Sequence, residues 1–162
     1  MKQYKNIVLR VPNWLGDACM AMPAVTELVR LFPGARLTII ANPLTAPLFH
    51  GMSGVSGVLV YDKAGAHKGF AGKLRFARLL RQRNFDLSVV FPNSFESALL
   101  SRLAGIPEIT GYARHLRRVL LTAPVEFTEY IGRKHQVFYY LNLIKTLGAD
   151  IDIETDKKPF PL

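Results

Sequence analysis

A doubly wound α/β domain, with a parallel sheet covered by helices on both faces, is the fold class this sequence predicts. Three observations carry the expectation. Short β-branched runs alternate with segments of helical spacing along the whole chain. Those runs read as strands buried in a core rather than as edge strands. The chain has 162 residues, 49% of them apolar, which suits a single domain with a sizeable core.

"NIVLRV" (Asn6 to Val11) is the first strand. From Asp17 to Leu31, the residues Met20, Ala21, Ala24, Val25, Leu28 and Leu31 recur at helical spacing, and "FPG" stops that helix. "ARLTIIA" (Ala35 to Ala41) is a second strand, followed by a short helical segment near "PLTAPLFHGM" and a third strand, "GVLVY" (Gly57 to Tyr61). The next segment, "KGFAGKLRFARLLRQRNF", sets Phe70, Leu74, Phe76, Ala77 and Leu80 on one side of a helix. Its other side carries Lys73, Arg75, Arg78, Arg81 and Arg83, read as a solvated face. "DLSVVF" (Asp86 to Phe91) is a fourth strand, "SFESALLSRLAG" a helix ended by Gly105, and "IPEITGY" a fifth strand. A last helix from His135 to Leu147 ends at Gly148. Residues 1–150 form this domain, and "DIDIETDKKPFPL" reads as a linker beginning at Ile151.

The chain carries 21 Lys and Arg against 12 Asp and Glu, a formal net charge of +9, which suits an anionic partner. Cys19 is the only cysteine, so no intrachain disulfide can form, consistent with a reducing compartment. Arg10 interrupts the N-terminal apolar run before signal-peptide length, and no run of about 18 apolar residues occurs. A cytoplasmic location is expected, at most peripheral to a membrane.

Three stretches carry chemistry. In "VPNWLGDACM", Gly16 offers a sharp turn or close approach, and Asp17 stands at a helix start. Asp17 reads either as an N-cap or as a general base aimed into a cleft beyond the strand ends. Trp14 reads as a lid on the core or as a platform for a sugar. In "FPNSFESALLSRLAG", Asn93 and Ser94 read as turn plus cap, or as lining of the same crevice. In "GYARHLRRVLLT", Arg114, Arg117 and Arg118 read as a solvated cluster or as a phosphate or carboxylate clamp. "GRKHQ" adds Arg133, Lys134 and His135, with His135 a candidate cap. Neither the G-x-x-x-x-G-K-[ST] nor the G-x-G-x-x-G phosphate-loop pattern is present, and the histidines show no metal-ligand spacing.

"VPNWLGDACMAMPAV", taken with "FPNSFESALLSRLAGIPEITGYARHLRRVLLT", resembles the ADP-heptose:lipopolysaccharide heptosyltransferases, most closely the heptosyltransferase II branch. The resemblance implies the N-terminal, acceptor-binding half of a GT-B glycosyltransferase, with a donor-binding domain beyond the linker at residues 151–162. It implies inverting, metal-independent transfer of heptose from ADP-heptose, a substrate rather than a cofactor, to the lipopolysaccharide inner core. Asp17 falls on the family's proposed general base. The substrate cleft falls on Asn13, Trp14, Gly16, Asn93 and Ser94, and the acceptor's phosphates or Kdo carboxylates fall to Arg114, Arg117, Arg118 and Lys134. The partners implied are the Kdo and heptose units on lipid A and, through the second domain, ADP-heptose. Peripheral contact with the inner-membrane surface is allowed. Where relatives often carry a basic residue in "AGIP…TG", this chain has Glu108 and Ile109. Two rival readings remain at this point. One is a non-catalytic Rossmann-like domain for a nucleotide or phosphorylated ligand. The other, a nucleic-acid binder, ranks last because no reading motif accompanies the charge, so no nucleic-acid partner is expected.

Overall fold

The computed structural model describes residues 2–153. Among these residues, six strands form one parallel sheet: β1 (Asn6–Arg10), β2 (Arg36–Ala41), β3 (Val55–Val60), β4 (Leu87–Val90), β5 (Glu108–Tyr112) and β6 (Ala123–Val125). Their spatial order is β3-β2-β1-β4-β5-β6, and every neighbouring pair runs parallel. Five α-helices occur among the described residues: α1 (Leu15–Leu31), α2 (Gly69–Gln82), α3 (Phe95–Leu103), α4 (Glu129–Arg133) and α5 (Gln136–Thr146).

The pleat divides the core in two. Successive strand residues face opposite sides, so Ile7 and Leu9 of β1 join α1 and α5 residues on one face. Val8 joins Phe76 and Leu80 of α2 and Ala98 of α3 on the other. With both faces covered, strand positions of either parity must be apolar, which explains the unbroken apolar runs.

Helix boundaries follow local chemistry. Pro33 lacks an N–H and disfavours a helical residue before it, so α1 ends at Leu31 with Phe32 as its cap. Ser94 caps α3, its hydroxyl accepting from the Ser97 N–H. Past the other end of α3, Gly105 takes φ +72°, a conformation open to glycine without a Cβ penalty. His135 caps α5, with Nδ1 accepting from the Val137 N–H at 3.4 Å.

Several expectations are corrected. Helix α1 starts two residues before Asp17, with Trp14 at the N-cap and no side-chain cap bond. Asp17 is therefore in the first turn and is not the cap. Phe70 is 67% exposed instead of buried with Phe76 and Leu80, since it lies in the first turn of α2, at the rim of the core. Lys73 is drawn off the solvated face into an ion pair with Glu96 of α3 at 2.8 Å. The three-residue strand β6 and the five-residue helix α4 were not anticipated, being too short to show a period. Of the expected linker, Ile153 is buried in the core beside α1 and α5, and residues 154–162 lie outside the described residues.

Candidate functional site

In this strand order the chain leaves β1 for α1 on one face and β4 for α3 on the other. The two loops part at the carboxyl ends of adjacent strands, and a crevice opens between them, the usual place for a ligand in such a sheet. Its walls are the two stretches singled out from the sequence, "VPNWLGD" after β1 and "FPNS" after β4.

A 280 Å³ crevice is lined by Asn13, Trp14, Asp17, Asn93 and Ser94, together with Gln136, Tyr139 and Tyr140 of α5. Asp17 is half-buried there. Among the described residues, no hydrogen bond or ion pair occupies its carboxylate. A Cβ on Gly16 would meet nothing within 4 Å, and Gly16 is absent from the positive-φ residues. Its contribution is open space above the first turn, not a sharp bend. The Trp14 indole is 75% exposed at the mouth, so it is no lid on the core.

The tyrosines of α5 brace the opposite wall. Tyr139 exchanges hydrogen bonds with the Asn93 amide at 2.5 and 2.8 Å, and its carbonyl accepts from the Tyr112 hydroxyl at 2.7 Å. Burial pushes the Tyr140 phenol up to about 12, and the Asp17 charge adds to the effect. Tyr140 therefore stays protonated at neutral pH. Sequence reading passed over these residues because "VFYYLN" has the composition of a core helix. The single signal was the pair of phenols at its start.

The expected clamp divides. Arg117 is 1% exposed, donating to the carbonyls of Pro92 and, at 3.4 Å, Val90. It holds the "FPN" turn from beneath and is not part of a solvated cluster. Burial lowers its pKa to about 10, opposed by Tyr139, so the guanidinium remains charged. Arg114 is half-buried, 4.3 Å over the Phe127 ring. Arg118 is exposed and pairs with Glu126 at 2.7 Å. The Lys134 ammonium lies over the rings of Tyr130 and Phe138, at 4.9 and 6.0 Å. Glu108 is at the amino end of β5, the opposite edge of the sheet from the crevice, where Lys2 and the Tyr4 hydroxyl bind it.

A second crevice of 460 Å³ opens over the carboxyl ends of β1, β2 and β3, sharing Asn13 and Ser94 with the first. On its wall, Glu96 takes ion pairs from Lys63 at 3.1 Å and Lys73 at 2.8 Å, and a hydrogen bond from the Tyr61 hydroxyl at 3.1 Å. Burial pushes the Glu96 carboxyl up, but these three donors outweigh it and hold it below the usual carboxylate range. Among the described residues, no group of three or more His, Cys, Asp or Glu is arranged to hold a metal ion. No helix among them is long and apolar enough to cross a membrane.

Fold and crevice together define a Rossmann-like α/β domain with a polar crevice at its topological switch point. Residues 73–162 match glycosyltransferase family 9 (heptosyltransferase), and the chain belongs to that family. It is 30% identical over 116 residues to the lipopolysaccharide heptosyltransferase 2 of Escherichia coli (strain K12), covering 72% of this chain and 33% of that protein. Among solved structures, the E. coli ADP-heptose lps heptosyltransferase II superposes with a TM-score of 0.73 at 27% identity, over 86% of this chain and 40% of that one. A family 9 glycosyl transferase from Veillonella parvula DSM 2008 shares the fold with a TM-score of 0.83 at 21% identity, over 92% of this chain and 43% of the other. The chain thus matches about one third of the length of its curated relatives.

Proposed function

We propose that residues 1–150 are the acceptor-binding domain of a GT-B heptosyltransferase that moves heptose from ADP-heptose to the lipopolysaccharide inner core with inversion. The donor-binding domain follows the segment that begins at Ile151. The observation that carries the reading is the Asp17 carboxylate, unpaired within the described residues and facing a crevice at the switch point. Membership in a family described as heptosyltransferases supports the substrate class.

In the reaction, an acceptor hydroxyl enters between Asn93 and the first turn of α1. Its oxygen attacks the anomeric carbon while Asp17 takes its proton. The bond from that carbon to the diphosphate oxygen breaks, and ADP leaves with the electron pair. One base suffices for a single inverting displacement, and no step is assigned to a metal. Trp14 offers its exposed ring to a sugar face. Arg114, Arg118 and Lys134 meet the acceptor's phosphates or carboxylates, while Arg117 holds the turn that presents Asn93. These 162 residues by themselves bind acceptor and do not turn over. A location in the cytoplasm, peripheral to the inner membrane, fits the acceptor and the basic charge.

Asp17→Ala, placed in an enzyme that contains both domains, tests the reading. The loss of a general base lowers kcat about 10²–10⁴-fold, whereas folding changes by less than about 1 kcal/mol, the usual worth of a charge at a helix N-terminus. Unaltered turnover in a folded Asp17→Ala enzyme sinks the assignment.

A further inference from the structure

Arg10 ends a strand that is otherwise apolar after its first residue, and it is only 6% exposed. Its guanidinium lies 5.3 Å from the centre of the Tyr61 ring and makes one hydrogen bond, from Nη2 to Asn13 Oδ1 at 2.8 Å. Nε and Nη1 are buried and have no partner among the described residues. Burial lowers its pKa to about 10, with Tyr61 and Glu96 opposing, so the side chain is a cation at neutral pH. A buried cation whose one hydrogen-bond acceptor is a neutral amide is an expensive arrangement. The carboxylates nearby are otherwise engaged. Glu96 is held by Lys63, Lys73 and Tyr61, and Asp62 accepts from the Gly65 N–H at 2.9 Å.

The crevice above Arg10 measures 460 Å³, within the ~300–1,000 Å³ of small-molecule sites. Asn13, the residue that covers the guanidinium, is exposed. Its backbone is held independently, the carbonyl accepting from Asn42 Nδ2 at 2.8 Å. Its side chain can therefore turn away while the loop stays in place.

We propose that this second crevice is an oxyanion subsite for an acidic sugar, in which a carboxylate or phosphate takes the place of Asn13 Oδ1 on Arg10. Lys63 adds positive charge at the rim, and Asn42, Tyr61 and Ser94 face the sugar's hydroxyls. Because Asn13 and Ser94 line both crevices, one ligand can place its acid on Arg10 and a neighbouring hydroxyl toward Asp17. The inference rests on the acceptor-binding reading and adds an anion contact at the carboxyl end of β1. Sequence reading used Arg10 only as an interruption of an apolar run.

Titration calorimetry on the full chain, with Trp14 fluorescence as a second signal, tests the subsite with three probes: Kdo, its neutral methyl ester and mannose 6-phosphate. Kdo is expected to bind at least ten-fold more tightly than the ester, and mannose 6-phosphate reports whether phosphate substitutes for carboxylate. Arg10→Met is expected to weaken acid binding ten-fold or more without lowering Tm, since it replaces an unpaired buried charge by an apolar chain of similar size. Asn13→Asp, which supplies an internal carboxylate to Arg10 and leaves the core untouched, is expected to abolish acid binding and raise Tm. Equal affinity for acid and ester overturns the proposal, as does acid binding that survives Arg10→Met or Asn13→Asp. If acid binding is instead lost on Arg114→Ala or Arg118→Ala alone, the Arg10 subsite falls and the acceptor reading stands. Acid binding through Arg10 in a two-domain enzyme that transfers no heptose has the opposite meaning: the subsite holds and the transferase reading falls.

Discussion

Gly111 and Arg117 show how single residues shape the crevice. A Cβ on Gly111 would come within 2.4 Å of Arg117 Nη2 and 2.9 Å of the Val90 carbonyl oxygen. Gly111→Ala must therefore push the arginine off the "FPN" turn. An overpacked core of this kind loses about 1–3 kcal/mol, measurable by urea denaturation, and acceptor affinity should fall with it. Tyr139→Phe is milder, removing the hydroxyl that holds Asn93 and costing about 1 kcal/mol. Unchanged acceptor binding in a stable Tyr139→Phe variant would detach Asn93 from the site. At this scale the sequence was legible in part. "NWLGD" and "PNS" marked positions that do meet at one crevice, since loops after parallel strands all point to one edge. That Arg117 turns inward while Arg118 turns out is not written in "RHLRR", because a 3₁₀ turn, His115–Leu120, sets their directions.

Helices α2 and α3 are joined through Glu96, which also reaches the loop after β3 by way of Lys63. Its folded pKa lies below the unfolded value of 4.5. A depressed carboxylate contributes stability that is complete above the unfolded pKa and is lost as pH falls through the folded one. Chemical denaturation at descending pH should show that loss beginning near pH 4.5. Glu96→Gln should flatten this acid limb and cost about 1 kcal/mol at pH 7, the lysines being partly exposed. An acid limb that Glu96→Gln leaves unaltered would mean that the bridge carries no stability. The elements themselves were largely legible, because long runs with a clear period reveal their type. Helix α1 was placed two residues late because Asp17 has a cap's chemistry, whereas the backbone turns helical at Leu15 without a side-chain cap. Lys73 read as solvated because its partner lies 23 residues away in the chain.

Taken whole, the molecule carries a net charge of +9. Acceptor binding should weaken steeply with ionic strength, while binding of a neutral sugar at Trp14 should not. A series from 50 to 500 mM salt checks this, and salt-insensitive binding of an anionic acceptor would remove charge from the mechanism. The sequence by itself determined the α/β class, five of the six strands and the crevice loops, because these depend on local periodicity and on the direction shared by parallel strands; Asp17 as candidate base came from the family resemblance. Only the tertiary structure decided which cations are buried and what holds them. Arg10 and Arg117 are both buried arginines, yet one braces a turn through two carbonyls and the other has a single amide over it. The physical reason is that these buried charges meet groups distant in sequence, Pro92 and Val90 for Arg117 and the Tyr61 ring for Arg10. Those partners are set by strand order, which local pattern does not encode.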